Sequence, residues 1–174
     1  MRDPFGELSA EHEIIEKVLA ALEAASTRVD ISLDFFEKAA DFAEQFADGY
    51  HHSKEELKLF TYLEHRGMPR DYGPLGVMIS EHDTGREHIR NMRSQLRAGD
   101  VDALQREGAA FAKLMRAHIA KEDEILFPMG MAMLKPEEIQ EIADSFGEVQ
   151  EPEGGCEAFA ALAEKLLAEA GVPA

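Results

Sequence analysis

One ten-residue segment occurs twice in this chain. The first copy, residues 51–60, has the sequence HHSKEELKLF, and the second, residues 118–127, has the sequence HIAKEDEILF. Without a gap, both copies have His, Lys, Glu, Leu and Phe at the same offsets, with an acidic residue after the shared Glu. A histidine four residues before a glutamate lies on the same helix face, about 40° away around the axis. Two such helices facing each other would gather two imidazoles and two carboxylates, which predicts a metal site.

The composition favours a single helical domain and argues against two classes of partner. The 174 residues suffice for one domain with a substantial core, and residues with high helix propensity, such as Ala, Glu and Leu, are abundant. The net charge of -17 argues against nucleic acid and against anionic membranes as partners, because both require a basic surface. The single cysteine, Cys156, can form neither an internal disulfide nor a thiolate zinc site, and we expect it to serve in packing.

We expect the protein to be cytoplasmic. Residues 1–6 lack the apolar core of a signal peptide. No apolar run in the sequence approaches the roughly 20 residues that a membrane span requires.

Apolar residues recur at intervals of three and four, which predicts four long amphipathic helices. Stretches rich in Gly and Pro separate them or mark their ends. Gly49, just before the histidine pair, predicts a kink or a close packing contact in the second helix. The helices are expected at about residues 9–28, 32–65, 74–98 and 101–128, followed by shorter helices after Lys135 and from about Cys156 to Ala170.

An acid-His-acid triplet extends the repeat. One triplet is centred on His12 and the other on His82, and each precedes one copy of the ten-residue segment by a similar distance. His12 is about as far before the first predicted turn as His51 is after it, so antiparallel packing sets the two level. The same holds for His82 and His118. The chain is therefore predicted to form two helical hairpins, each offering two histidines and one glutamate at the same depth.

Four histidines with Glu55 and Glu122 exceed what one tetrahedral zinc ion needs. They suit two metal ions, each with terminal histidines, joined by the two glutamates as bridging carboxylates. Burying these carboxylates without a cation would carry a heavy penalty, so we expect metal to stabilise the fold.

The order of the motifs, a lone His followed by HHxxE, EHD and HIxKExxxLFP, resembles the hemerythrin family in its bacterial hemerythrin-like (HHE cation-binding) branch. The resemblance covers about residues 9–130. It implies an all-α, up-down-up-down four-helix bundle at residues 1–130 that holds a non-haem di-iron centre. The additional short helices at residues 131–174 are expected to pack on the bundle or on a second subunit, as in a homodimer. The implied iron ligands are His12, His51, His82 and His118, with Glu55 and Glu122 as bridges.

Two departures from the respiratory members of that family concern the ligand set. Those proteins carry HxxxH on the third helix and HxxxxD on the fourth, whereas this chain has Arg86 in place of the second of those histidines. Glu122 stands where they have an aspartate one residue later. His52 is the candidate for the fifth histidine, since His88 is six residues from His82 and about 120° off that face. The candidate metal ligands are therefore His12, His51, His52, Glu55, His82, His118 and Glu122.

Other charged residues near the motifs are given lesser roles. Glu56 and Asp123, each next to a proposed bridge, are expected to orient a histidine rather than to bind metal. His65 lies at the end of a predicted helix, where it would interact with the helix dipole.

The sequence leaves several functional hypotheses. The first is a di-iron protein that binds or senses O2, or handles nitric oxide, peroxide or iron, without being a dedicated catalyst. Zinc or another divalent ion can replace iron in a given preparation, because availability often outranks affinity. The alternative is a metal-stabilised interaction module without redox chemistry. A ferritin-type oxidase is excluded because no histidine has a glutamate three residues before it. For a small enzyme, such as a peroxidase or an iron–sulfur repair factor, the sequence shows no nucleophile or substrate pocket.

Overall fold

The computed structural model describes residues 3–173, so Met1, Arg2 and Ala174 lie outside the described residues. Within that range the chain forms six helices and no β-strand. The first four helices form an up-down-up-down bundle, so the prediction of an all-α four-helix bundle with added C-terminal helices is confirmed. The helices are α1 (Pro4–Ala25), α2 (33–65), α3 (Gly73–Ala98), α4 (101–133), α5 (Pro136–Ser145) and α6 (Gly155–Glu169).

Helices α2 and α4 contain π-helical stretches in and beside the repeated segment. In α2, π-helical stretches at Ala43–His52 and Glu55–Leu59 lie between α-helical ends. In α4, a π-helical stretch at Glu122–Leu126 follows the α-helical Val101–Lys121. A π-helix bonds residue i to i+5, so each residue turns less about the axis than in an α-helix. Gly49, where the sequence predicted a kink or a close packing contact, lies within the first of these π-helical stretches.

Two helix ends differ from the prediction by five residues, and helix α1 also ends at Ala25 instead of at about residue 28. Helix α1 begins at Pro4 rather than at Ser9, because the Asp3 side chain accepts a hydrogen bond from the Phe5 N–H at 3.1 Å and caps the helix. Helix α4 continues past Pro128 to Met133. Pro128 stands in the first turn of the α-helical part that follows the π-helical stretch, a position where proline is tolerated.

The hydrophobic core has two parts. The larger cluster joins α1–α4 with α6, and the smaller one lies at the opposite end of the bundle. The smaller cluster contains the Leu-Phe pairs that end the two repeated segments, Leu59–Phe60 and Leu126–Phe127. The predicted metal ligands lie in the chain between the residues of these two clusters, so the polar centre is enclosed by apolar side chains on both sides.

The C-terminal helices pack on the bundle of the same chain. Helix α6 lies against α1 and α2, and the Phe159 ring stacks on Phe46 with centroids 5.9 Å apart. Helix α5 and the short 3-10 turn Phe146–Glu148 add Ile142 and Phe146 to the smaller cluster. The division of the chain at residue 130, and any contact with a second subunit, stay predictions.

The outer faces of the helices are polar. Salt bridges such as Arg93–Glu44 at 2.5 Å and Arg116–Glu23 at 2.7 Å join neighbouring helices there. None of the described helices is both long and apolar enough to cross a bilayer.

Candidate metal centre

The structure brings all seven predicted ligands together in the interior of the bundle. Each of them is at most 3% exposed, so the centre is closed to bulk solvent. Helix α1 supplies one residue, α2 three, α3 one and α4 two. In that order they are His12, then His51, His52 and Glu55, then His82, then His118 and Glu122. Their assignment as metal ligands stays a prediction at this point.

The seven residues divide into two groups that share Glu55. The three-histidine group consists of His52, Glu55, His82 and His118. The two-histidine group consists of His12, His51, Glu55 and Glu122. Within each group, one donor atom from every residue lies within 4.8 Å of the others, which is the spacing of ligands around one ion.

The Glu55 carboxylate lies between the two groups. Its Oε1 atom is 3.3 Å from His51 Nε2, and its Oε2 atom is 3.3 Å from His82 Nε2. Glu122 also contacts both sides, since its Oε2 atom is 3.3 Å from His12 Nε2 and 3.2 Å from His118 Nε2. Both carboxylates therefore stand where a bridging ligand would stand.

Several polar atoms of the centre are buried and make no hydrogen bond. Among the described residues, His12 Nε2 and all four carboxylate oxygens of Glu55 and Glu122 have no hydrogen bond. A buried carboxylate without a cation or donors costs several kcal/mol, about the effective penalty for one desolvated ion. His82 Nε2 and His118 Nε2 lie 3.0 Å apart. Two nitrogens at right angles on one ion, each about 2.1 Å from it, are about as close. The donor set therefore fits metal ions.

Every histidine of the centre is oriented by a carboxylate at its Nδ1 atom, which leaves Nε2 for the interior. Such contacts fix the tautomer and the ring orientation of a ligating histidine and raise its basicity. The pairs are His12–Asp123 at 3.1 Å, His51–Glu11 at 2.9 Å, His52–Asp48 at 3.3 Å, His82–Glu56 at 2.7 Å and His118–Glu81 at 3.1 Å. The contacts expected of Glu56 and Asp123 are present.

The acid that follows each proposed bridge reaches the opposite hairpin. Glu56 on α2 contacts His82 on α3, and Asp123 on α4 contacts His12 on α1. The acid that precedes each triplet histidine instead stays within its own hairpin, where Glu11 binds His51. The repeat is therefore present in the orienting residues as well as in the ligands.

The repeated phenylalanines pack on the same two histidines. Phe60 stacks on His82 with centroids 5.8 Å apart and an interplanar angle of 12°. Phe127 stacks on His12 at 5.6 Å and 7°. Each of these two histidine rings thus packs on a phenylalanine ring and is held at its Nδ1 atom by a carboxylate.

The repeated lysines support the orienting acids. Each lysine donates to the carboxylate that binds the histidine three residues before it. The two contact chains are Lys54–Glu11–His51 and Lys121–Glu81–His118. Lys54 is fully buried, whereas the Lys121 side chain is 36% exposed. Lys54 also donates to Glu7 at 2.8 Å and lies 4.0 Å from the centroid of the Tyr50 ring.

Sequence reasoning assigned no role to Glu11, Asp48, Lys54 or Glu81. For three of them a signal was present: Lys54 recurs as Lys121, and each triplet has an acid before its histidine. Asp48 has no counterpart in the repeat, since Met115 occupies the equivalent position. Its role follows only from the contact with His52.

Two other histidines lie outside the centre. His88 binds Glu107 at 2.6 Å on the outer face of the bundle, with its side chain 21% exposed. His65 is exposed in the last turn of α2. Neither residue belongs to a cluster of candidate ligands among the described residues.

The bridging carboxylates and the histidines shift one another's ionisation. Burial lowers the pKa of His12, but Asp123 and Glu122 outweigh it and raise the pKa to about 10. Burial and the Glu55 carboxylate raise the pKa of Glu122, but His118 and His12 outweigh them and lower it to about 2. Without metal, these groups therefore form imidazolium–carboxylate pairs. A metal ion would have to displace the protons.

His52 differs from the other histidines of the centre. Burial and the neighbouring His82 lower the pKa of His52 to about 3, and its contact with Asp48 does not offset them. His52 is therefore neutral at physiological pH, the form in which imidazole binds metal. It is also the histidine without a counterpart in the repeat, because Ile119 occupies the equivalent position.

A bundle of four helices around a shared-carboxylate, histidine-rich centre defines a class of metal-binding helical proteins. The chain matches the family model described as the hemerythrin HHE cation binding domain over residues 3–130. It therefore belongs to this family, as the motifs predicted, and the domain is one that binds metal.

The chain is also similar to curated bacterial proteins. Three proteins named as uncharacterized, one from Mycobacterium bovis and two from strains of Mycobacterium tuberculosis, are each 22% identical to it over 170 residues. Each match covers 92% of this chain and 66% of the relative. The chain thus spans about two thirds of the length of these relatives.

Removing the buried lysine should cost more stability than removing its repeat partner. We expect Lys54→Met to lower the free energy of unfolding by about 3 kcal/mol or more, because it removes a buried ammonium group that pairs with Glu11 and leaves that carboxylate with His51 alone. Lys121→Met should cost less than about 1 kcal/mol, since its ion pair is partly solvated. Urea unfolding of the two metal-free variants beside the parent protein measures the difference. Equal losses would show that burial does not decide the strength of these pairs.

The metal-free protein should become less stable as the pH rises above neutrality. Burial lowers the pKa of both histidines, but carboxylates outweigh it. Glu122 and Glu81 raise the pKa of His118 to about 10, from 6.5 in the unfolded chain. Glu55 and Glu11 raise the pKa of His51 to about 9. The folded state then holds extra protons above pH 6.5, so its stability falls by about 1 kcal/mol per pH unit or more. Bound metal displaces those protons, so the gain in melting temperature from metal should increase with pH.

Thermal melts with chelator and with Zn2+, between about pH 6 and pH 8, test this expectation. Metal-free stability that stays level or increases across that interval would contradict the charge assignment.

Proposed function

We propose that this chain holds two iron ions in a non-haem di-iron centre and binds or senses a small oxygen-related ligand, such as O2, nitric oxide or peroxide. The observation that carries the proposal is the placement of Glu55. Its two carboxylate oxygens face two separate histidine groups, and neither oxygen makes a hydrogen bond in the described part of the chain. One ion in each group would satisfy both oxygens.

The donor types favour iron. The centre offers five imidazoles and two carboxylates and no thiolate, and a mixed set of this kind suits non-haem iron. A structural zinc ion is usually held by four ligands in a tetrahedron, many of them thiolates. Seven donors around two ions instead leave room for six-coordinate metal and for an external ligand.

The two groups differ in how many histidines they provide. The three-histidine group has His52 in addition to the histidines of the second hairpin. The two-histidine group has only His12 and His51 beside the two carboxylates. We therefore place the open coordination position, and the small ligand, at the two-histidine group. Bound iron would supply the electrons for redox chemistry with that ligand.

A groove on the surface is lined in part by His12, one residue of the two-histidine group. It has a volume of about 680 Å³ and runs between α1 and α4 past His12 and Asp123. Phe5, Phe127 and Met131 line it with apolar surface. A small uncharged ligand could approach along this face, while the near-complete burial of the centre keeps bulk water away from the metal.

The alternative is a metal-stabilised module in which the ions only join helices. The observation that favours it is that each of the four bundle helices contributes at least one residue to the centre. Metal would then act as a cross-link between the two hairpins, and the C-terminal helices would carry the function.

Anaerobic loading with Fe2+, followed by air, separates the two hypotheses. We expect about two iron ions per chain and new charge-transfer absorption in the near-ultraviolet and visible after O2 is admitted. A colourless protein that takes up zinc but no iron would overturn the proposal and favour the structural module.

Removing the shared carboxylate should lower both the metal content of the protein and the stability that metal provides. Glu55→Gln keeps the size of the side chain but cannot supply two anionic oxygens, so we expect it to retain fewer than two ions per chain. Its melting temperature should then no longer increase on metal addition as it does for the parent protein. Glu37→Gln, on the exposed face of the same helix, is the matched control and should behave like the parent protein. Two ions retained in Glu55→Gln would show that Glu55 is not a bridge.

A further inference from the structure

Arg86 joins two of the carboxylates that orient histidines. Its Nε atom donates to Asp48 Oδ1 at 2.9 Å, and its Nη2 atom donates to Glu56 Oε1 at 2.7 Å. The same oxygen of Asp48 is 3.3 Å from His52 Nδ1, and the same oxygen of Glu56 is 2.7 Å from His82 Nδ1. One guanidinium is therefore linked to both histidines, in each case through a single carboxylate oxygen.

The two histidines that Arg86 reaches are packed on each other. The rings of His52 and His82 stack with centroids 3.8 Å apart and an interplanar angle of 17°. They come from different helices, α2 and α3, so their relative position depends on how those helices are held together. Arg86 on α3 binds Asp48 and Glu56 on α2, one before and one after the histidine pair.

We propose that Arg86 is a positioning residue for the three-histidine group, where it strengthens metal binding by fixing His52 and His82 against each other. This inference rests on the proposed function, because it takes those histidines as metal ligands. Arg86 acts on one ion only.

The two-histidine group has no equivalent of this residue. There, Asp123 is supported by the Ser9 hydroxyl at 2.8 Å, and Glu11 is supported by Lys54, so two separate donors serve two separate carboxylates. Four residues after His12, where the repeat would place a counterpart of Arg86, the chain has Glu16. Glu16 pairs with Arg116 at 3.0 Å.

The geometry of the contact requires arginine. A guanidinium presents several donors in a rigid plane and can bind two carboxylates at once, whereas an ammonium group is a compact point charge. Arg86 uses three nitrogens, since Nη1 also donates to Asp83 at 3.0 Å. A lysine at this position would keep the charge but would not span Asp48 and Glu56 with the same geometry.

Arg93 provides a matched control on the same helix. Its side chain is 27% exposed, against 29% for Arg86, and it also pairs with two carboxylates, Asp41 and Glu44. Neither of those carboxylates contacts a histidine of the centre. Loss of Arg93 therefore removes a similar link between α2 and α3 without touching the metal ligands.

The test is the rate at which a strong chelator removes iron from the anaerobically loaded protein and from the variants Arg86→Gln, Arg86→Lys and Arg93→Gln. Loss of a residue that supports a metal ligand commonly costs 10-fold to 100-fold in affinity. In Arg86→Gln we expect one of the two ions to leave about 10 to 100 times faster than in the parent protein, while the other keeps its rate. Arg86→Lys should behave like Arg86→Gln, and Arg93→Gln like the parent protein.

The outcomes separate this inference from the proposed function. A parent protein that binds no more than one ion overturns the proposed function and this inference with it. A parent protein with two ions, and an Arg86→Gln variant that releases both at the parental rates, overturns only the role of Arg86. Equal acceleration in Arg93→Gln would show a general loosening of the bundle, and parental release in Arg86→Lys would show that charge alone matters. If Arg86→Gln does not fold, the comparison of Arg86→Lys with Arg93→Gln decides the question.

Discussion

The interaction on which the rest of this structure depends is the burial of two carboxylates, Glu55 and Glu122, in the middle of a helical bundle. A lone carboxylate in an apolar interior is unstable, so both must be matched by positive charge. Without metal, raised histidine pKa values supply that charge as protons, and with metal the ions would supply it. Orienting acids, lysines and stacked phenylalanines surround the pair and hold the histidines that face it. The two hydrophobic clusters then enclose this polar centre at both ends.

Much of the fold and of the centre was predictable because the chain repeats itself without a gap. Amphipathic periodicity and breaker-rich turns were enough for the bundle, and equal distances from each turn predicted that the histidines meet at one depth. The repeat contained more information than the prediction used. Its lysine supports an orienting acid, its second acid reaches the other hairpin, and its phenylalanine stacks on a histidine there. These roles require contacts between helices, which spacing along one helix does not show.

The π-helical stretches explain how His52, the candidate for the fifth histidine, reaches the centre beside His51. In a regular α-helix, neighbouring residues point about 100° apart, so His51 and His52 would not both face one centre easily. The wider turn of a π-helix reduces that angle, and both residues are buried, at 1% and 3% exposure. No residue pattern in the sequence specifies a π-helical stretch, although such stretches are common at functional sites. The position of the His52 side chain in the centre therefore depends on a local backbone feature rather than on the repeat.

The positions at which the two copies of the repeat hold different residues would give the two ions different surroundings. If both hairpins were identical, the two histidine groups would be related by symmetry and would hold their ions equally. The chain breaks that symmetry at His52, Asp48 and Arg86, whose equivalent positions in the other copy of the repeat hold Ile119, Met115 and Glu16. It breaks it again at the lysines, because Phe146 of the C-terminal segment lies 5.2 Å from Lys54 and helps to bury it, while Lys121 is partly exposed. If both groups bind iron as proposed, one group would gain a ligand and a positioning residue, while the other would keep an open coordination position beside a groove. Under that proposal, the differences between the two copies of the repeat would let the bundle hold one ion firmly and leave the other free to react.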